Sequence, residues 1–235
     1  MTFELTVTHP SAGQSHRSRP RKRRSWLAVT GLLLLSLIPV IGGAFRLIEL
    51  TGGADITTDN ARFFASPIPI VAHIVSVTVY SLLGAFQFVP SLRGRRGWHR
   101  AAGSILFPAG LVAALSGIWM AAFYRFPEGD DIDLLTVRLV FGGAMAACLV
   151  LGIVAIRRRD FTAHGAWMTR AYGLGVAAGT QALVLAIWII GAGPTDHLTE
   201  TVLMAAAWAI NVAVAELVIL RRARAAGASR RPATA

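Results

Sequence analysis

Residues 134–156 read LLTVRLVFGGAMAACLVLGIVAI, a run in which Arg138 is the single charged residue. An α-helix needs about 20 apolar residues to cross the ~30 Å hydrocarbon core of a bilayer. The run has no polar residue recurring every 3.6 positions, so it lacks the polar face of an amphipathic helix in a soluble protein. This stretch therefore predicts a transmembrane helix.

Five further apolar segments of similar length lie on either side of this one. The six predicted membrane-spanning segments are approximately 26–50, 67–90, 101–123, 134–156, 166–192 and 199–220. The strands of a transmembrane barrel would instead be about ten residues long and would alternate in polarity. The sequence therefore predicts an all-α fold, a polytopic helical bundle that occupies residues 26–221. Residues 1–25 and 222–235 are predicted to be basic tails, the first of them disordered.

The composition agrees with a membrane protein. Hydrophobic residues make up 54% of the chain and charged residues 15%, and the mean hydropathy is +0.57, whereas about a quarter of the residues in soluble domains are charged. A net charge of +11 would suit nucleic-acid binding, but the arginines stand in short groups between the apolar segments. Such grouping encodes membrane topology, so the predicted partner is the lipid bilayer and not a nucleic acid.

The distribution of charge predicts how the chain crosses the membrane. Basic groups at 19–24, 93–100, 157–159 and 221–231 all fall on one side, whereas most acidic residues fall on the other. The side with more arginine and lysine is normally cytoplasmic. Both termini are therefore predicted to be cytoplasmic, which agrees with an even number of crossings.

Polar and ionisable residues inside the predicted spans are candidate functional residues, because such side chains are rare and costly in hydrocarbon. The second span carries several at intervals of three or four residues, which places them on one face, toward the bundle interior. The predicted intramembrane polar residues are His73, Tyr80, Gln87, Arg138, Arg170 and Gln181. They could form a pocket for a small or anionic solute, or they could be structural hydrogen-bonding and charge-supported groups.

An equal spacing links two pairs of these positions. His73 precedes His99 by 26 residues, and Arg138 precedes His164 by the same interval. Arg93 and Arg158 also stand six positions before His99 and His164. The repeated interval predicts that the central four spans are a duplicated helix pair.

His99 and His164 are candidate ligands of a haem iron. They begin two predicted spans that run parallel, and the dipole at a helix N-terminus favours the neutral imidazole that binds metals. Two such imidazoles on facing helices can ligate haem b, with Arg100 available to neutralise a propionate. The alternative is that both histidines are interfacial anchors, as Trp98 and Trp167 beside them would also be.

Two runs of the sequence are similar to a known family. They are His73-Ile74 with LGAFQF (83–88), Arg93 and HRAAG (99–103), and HGAWMTRAY (164–172). Over about residues 65–175 the chain resembles the predicted membrane proteins called domain of unknown function 2306. This resemblance implies a bacterial multi-pass protein of the inner membrane, and the family name states no activity.

A weaker likeness is to the four-helix core of the transmembrane haem-b proteins related to ferric reductases. In that core, histidines on successive helices hold two haems. His73, His99 and His164 correspond to three of the four histidines, and Arg138 stands at the fourth position. The likeness therefore implies at most one haem, between His99 and His164.

Three functions remain open from the sequence. The leading hypothesis is transmembrane electron transfer through one haem b, with a quinone or another redox protein as partner. The second is a small-solute transporter or sensor with a polar intramembrane pocket, and the third is a membrane scaffold without a ligand. The motifs of soluble enzymes, such as a phosphate-binding glycine loop or Cys-x-x-Cys, are absent from the sequence, so no enzyme class is predicted.

Overall fold

The computed structural model describes residues 19–89, 92, 96–125 and 132–228, and the regular elements of this part of the chain are all helical. The helices are α1 (Arg19–Thr51), α2 (Ala61–Ala65), α3 (Pro67–Ala85), α4 (Arg96–Phe123), α5 (Ile132–Arg157), α6 (Phe161–Gly175), α7 (Ala177–Ala192) and α8 (His197–Ala228), with a 3₁₀ turn at Phe86–Phe88. Five helices of the described residues are long and apolar enough to span a bilayer, and the number becomes six if the bent pair α6–α7 is counted as one span. The predicted all-α transmembrane bundle is confirmed.

The outer surface of the bundle suits hydrocarbon. Ile68, Ile187 and Ile190 are 80%, 71% and 87% exposed, and many other large apolar side chains also face outward. Apolar surface on this scale is unfavourable in water, whereas it is the normal lipid-facing surface of a membrane protein. The bundle is therefore built for a bilayer.

Several helices extend beyond the predicted segments. α1 begins at Arg19 and includes Pro20, which is tolerated in a first turn because the N–H there needs no helical partner. α6 begins at Phe161 because the Asp160 carboxylate accepts the Ala163 N–H at 2.8 Å. Asp196 caps α8 in the same way through the Thr199 N–H at 2.7 Å, and the hydrogen bonds from Thr199 hold the pKa of Asp196 below its usual range.

Part of the predicted organisation lies outside the described residues. This applies to the tails 1–18 and 229–235, and to several charged residues that predict the orientation. They are Arg93, Arg95, Glu128, Asp130 and Asp131.

The fifth predicted span, 166–192, is interrupted and not a single helix. α6 ends at Gly175, α7 begins at Ala177, and the two axes differ by 41°. Glycine has a low helix propensity, and Gly173, Gly175 and Gly179 surround the break. The expectation of one continuous helix was therefore wrong at Val176.

The helices pack as a central group of four with three neighbours. α3 lies along α4, α5 lies along α6, and α4 contacts α5. α1 packs on α3 and α7, whereas α8 packs on α6 and α7. We call the end of the bundle with Arg100, Arg157–Arg159 and Arg222 the arginine-rich end, and the opposite end, with Asp55 and Asp196, the acidic end.

The two hairpins α3–α4 and α5–α6 make matching contacts at positions 65 residues apart. Gly110 of α4 lies against Tyr80 of α3, where an added Cβ would come within 2.6 Å of the ring. Gly175 of α6 lies in the same way against Met145 of α5, with 3.0 Å to the methyl carbon. These equivalent contacts support the duplicated helix pair that the sequence spacing predicts.

The acidic end is closed by a segment fixed to α1. Asn60 is buried, and its amide donates to Glu49 Oε1 and to the Asp55 carbonyl, both at 3.0 Å. Arg46 pairs with Glu49 at 2.5 Å. Burial, together with the nearby Arg46 charge, lowers the pKa of Arg62 in α2. The loop between α1 and α3 is thus an ordered cap on the bundle.

The backbones of α1 and α7 lie close together where the two helices cross. Pro39 has no N–H, so the carbonyl of Leu35 lacks its usual partner within α1. A Cβ on Gly179 of α7 would lie 2.1 Å from that Leu35 oxygen. The close crossing therefore requires glycine at position 179.

Replacing Gly179 by alanine should destabilise the protein by about 1–3 kcal/mol, because the added methyl must push the α1 backbone away. Thermal unfolding in detergent measures the effect. Gly191→Ala, in the same helix, is the matched control because nothing lies within 4 Å of its Cβ position. Equal unfolding temperatures for the two variants would contradict the close crossing of α1 and α7.

Candidate functional site

A cavity of about 130 Å³ lies where α6 ends and α7 begins. Its lining residues come from α1, α3 and the break itself. They are Ser36, Pro39, Val40, His73, Ile74, Val77, Ser81, Gly175, Val176 and Ala178. Ser36 stands near the middle of α1 and Ser81 lies in the second half of α3, so the cavity is well inside the predicted membrane.

The break beside the cavity is supported by α8. In an uninterrupted helix the carbonyl of Gly173 would accept the N–H four residues further on. Here Asn211 Nδ2 donates to this carbonyl at 3.0 Å, and Thr180 Oγ1 of α7 donates to Asn211 Oδ1 at 2.9 Å. Backbone groups freed inside a membrane must find such partners. Asn211 therefore connects both halves of the broken span to α8.

His73 lines the cavity and is hydrogen-bonded to α4. Its Nδ1 lies 3.0 Å from the carbonyl of Ala113 and 3.1 Å from Ser116 Oγ. A carbonyl can only accept, so Nδ1 carries the proton in the neutral ring. Nε2 has no hydrogen-bond partner among the described residues, and the ring also lines the cavity.

Two tyrosines fill the interior between the central helices. Tyr80 is buried, and its ring edges face Gly110 and Gly175. Tyr172 donates its hydroxyl to the Ser81 carbonyl at 2.7 Å, and its ring occupies the space next to Gly84. A flat macrocycle held by His99 and His164 would therefore have to lie closer to the arginine-rich end than these rings.

The structure ties each of the two candidate haem ligands to its own hairpin. His99 Nδ1 donates to Gln87 Oε1, and His164 Nδ1 donates to the Gly152 carbonyl at 2.9 Å. Both acceptors precede their histidine by 12 residues, which again follows the repeat. Both rings are half-buried, and Arg100 is exposed at the same end.

The remaining predicted polar residues do not line the cavity. Arg170 makes a bidentate ion pair with Glu216 of α8 at 2.5 and 3.0 Å. Gln87 and Gln181 each bury an amide nitrogen that has no hydrogen-bond partner among the described residues. Arg138 is half-buried on α5, toward the acidic end. Of the predicted polar set, His73 is therefore the member that reaches the cavity.

Sequence reasoning missed the residues that shape the cavity with His73. Ser36 and Pro39 belong to an ordinary apolar span, and a serine or proline there gives no distinctive pattern. The glycines at 173, 175 and 179 were a usable signal, since glycine-interrupted spans are typical of transporter binding sites. Asn211 could be noticed as a polar residue in a span, but its partner could not.

Replacing Asn211 by alanine should lower stability by about 0.6–1.7 kcal/mol, the range for hydrogen bonds between membrane helices, because the Gly173 carbonyl loses its donor. The measurement is thermal or denaturant unfolding in detergent. Ile210→Ala is the control, since Ile210 is the exposed neighbour on the same helix. An Asn211→Ala protein as stable as the control would mean that Asn211 does not support the break.

Comparison with known proteins identifies a family. The model of the family described as predicted membrane protein (DUF2306) matches residues 70–219, which is more than half of the chain. The chain therefore belongs to this family. No curated protein and no solved structure matches it, so the likeness to the ferric-reductase-related proteins gains no support. α1 lies outside the matched residues.

Proposed function

We propose that this member of the DUF2306 family binds a small solute in its mid-membrane cavity and carries the solute across the bilayer. The observation that carries the proposal is the broken span α6–α7 beside a cavity that contains His73, Ser36 and Ser81. Irregular backbone at membrane depth is tolerated where it is buried in protein or lines a cavity. Discontinuous helices of this kind form the substrate sites of many secondary transporters.

The rest of the arrangement agrees with a solute site. The lining comes from three separate parts of the chain, so a relative movement of α1, α3 or α7 would change access. A scaffold without a ligand needs neither an opening nor an interrupted span at this depth. We infer from the charge distribution that the arginine-rich end and both termini lie in the cytoplasm. Membership of the family is the basis for proposing the bacterial inner membrane.

A solute site must be reachable from water, and substituted cysteines test this. Ser36→Cys and Ser81→Cys, each in a Cys148→Ala background, should react with a small hydrophilic methanethiosulfonate reagent in intact cells or proteoliposomes. Thiols react as thiolates, which form in water and not in hydrocarbon. Mass spectrometry of the purified protein measures the modification.

Val112→Cys is the control, because this side chain is exposed on the lipid face of α4 and should stay unmodified. Modification of the cavity cysteines alone supports a water-accessible site. If neither cavity cysteine reacts under conditions that modify a cysteine in the tail, the cavity is closed and the scaffold hypothesis replaces the transporter.

Electron transfer through haem b is a second candidate, and one observation favours it. His99 and His164 each direct Nδ1 to an oxygen acceptor, which is the arrangement that fixes the ring of a metal-ligating histidine. The two residues would hold the iron through Nε2, Arg100 would face a propionate, and a quinone or another redox protein would exchange the electron. Haem would supply the redox chemistry, and the chain would position it.

The absorption spectrum tests the haem candidate. Protein purified from haem-replete cells should show a Soret band that shifts on reduction, and His164→Ala should abolish the band. His197→Ala, at the acidic end, should leave it unchanged. A colourless protein that gains no band on reconstitution with haem would exclude haem binding by this pair.

A further inference from the structure

We propose that the turn between α5 and α6 binds the headgroup of an anionic phospholipid at the arginine-rich end of the bundle. The turn carries Arg157, Arg158 and Arg159 in succession. None of these residues lines the solute cavity, so the lipid site does not depend on the proposed transport. Three features of the turn support a lipid ligand, namely its unpaired guanidinium groups, the apolar side chains beside them and the backbone conformation of Arg159.

The first feature is positive charge without a partner. The three arginine side chains are exposed, and none of them forms an ion pair with another residue that the structure describes. The adjacent acidic residue, Asp160, uses its carboxylate to cap α6 through the Ala163 N–H. Residues 157–160 contain three arginines and one aspartate, a net charge of +2. Guanidinium groups bind phosphate oxygens in pairs, so the turn offers a cluster of donors for a phosphate.

The second feature is the pair of apolar residues that flank the arginines. Ile156 stands directly before them and is 40% exposed, and Phe161 follows Asp160 and is 69% exposed. Large apolar side chains beside basic ones are typical of the membrane interface, where the former enter the acyl region and the latter reach the headgroups. A soluble anion would gain nothing from Ile156 and Phe161. The combination therefore favours a phospholipid, in which a phosphate is joined to acyl chains.

The third feature is the backbone of Arg159, which has a φ angle of 60°. This left-handed conformation suits glycine and is costly for a residue with a Cβ atom. It ends α5, because the N–H groups of Arg159 and Asp160 turn back to the carbonyls of Ile156 and Ala155, both at 3.0 Å. Glycine is the usual residue at such a helix end. The backbone thus gives no reason for an arginine at position 159, whereas a bound anion does.

Native mass spectrometry of the full-length protein in detergent tests the site. The probe is dioleoylphosphatidylglycerol, and dioleoylphosphatidylcholine is its zwitterionic counterpart with the same acyl chains. The wild type should retain phosphatidylglycerol more tightly than phosphatidylcholine. Arg159→Gln should weaken the binding of phosphatidylglycerol about fivefold, which is the effect of one basic side chain near an anionic surface.

Arg221→Gln is the matched control for charge. Arg221 is exposed on α8 at the same end of the bundle. Membrane topology needs basic residues on this side but not at a fixed position, so the control separates a defined site from general attraction. Arg221→Gln should leave the affinity for phosphatidylglycerol nearly unchanged.

Arg159→Gly separates lipid binding from a role in folding. It should lose affinity for phosphatidylglycerol as Arg159→Gln does. Its unfolding temperature in lipid-free detergent should not fall, because relief of the left-handed conformation offsets the greater freedom of glycine in the unfolded chain. Scanning fluorimetry measures that temperature. Inorganic phosphate, exchanged for chloride at constant ionic strength, should not displace phosphatidylglycerol from the wild type.

Four results would overturn the site. Equal losses of affinity in Arg159→Gln and Arg221→Gln would leave only a general attraction between the basic end and anionic lipid. Equal binding of the two lipids would show that the charge of the headgroup is not recognised. Displacement by inorganic phosphate would reassign the turn to a soluble anion. A lower unfolding temperature of Arg159→Gly would assign Arg159 to the stability of the fold.

Discussion

The need to satisfy every backbone polar group inside hydrocarbon is the constraint on which the rest of this bundle depends. Continuous helices meet it by themselves, and most of the spans do so. At Val176 the ladder is interrupted, and the side chain of Asn211 then serves the Gly173 carbonyl from another helix. The position of α8 and the small residues at its contact with α6 follow from that requirement, since Gly173 approaches the α8 backbone. The cavity lies beside this supported interruption.

The two hairpins α3–α4 and α5–α6 differ in the residues that occupy equivalent positions. In both copies a glycine on the second helix receives a side chain from the first, but that side chain is Tyr80 in one copy and Met145 in the other. Tyr80 reaches both glycines, so a single ring joins the two hairpins. His73 in the first copy reaches the cavity, whereas Arg138 at the equivalent position of the second copy does not line it. The equivalent glycine contacts thus account for the similar packing of the two hairpins. The difference between His73 and Arg138 accounts for the presence of His73 alone in the cavity lining.

The sequence predicted the architecture well because each helix that crosses the hydrocarbon core needs about 20 consecutive apolar residues. Segments of this kind can be recognised directly in the sequence. The interval that separates His73 from His99 and Arg138 from His164 also predicted two similar hairpins, and the equivalent contacts of Gly110 and Gly175 agree with that prediction. The break at Val176 could not, because an apolar segment containing glycines is compatible with a continuous or a bent helix until its neighbours are known. Ser36 became relevant only when packing placed α1 beside α7. The sequence predicted His73 because an ionisable side chain is energetically unfavourable inside a membrane span. It did not predict Ser36 or Pro39, because such residues occur in ordinary spans and give no distinctive pattern.

One helix stands apart from the others in its relation to the family. The matched residues, 70–219, contain the central hairpins and the break, whereas α1 precedes them and yet supplies Ser36, Pro39 and Val40 to the cavity wall. The residues that support the break therefore lie inside the family match, and three residues of the cavity wall lie outside it. If the cavity binds a solute, as proposed, substitutions at Ser36, Pro39 or Val40 would change the cavity wall without altering the hydrogen bond from Asn211 that supports the break.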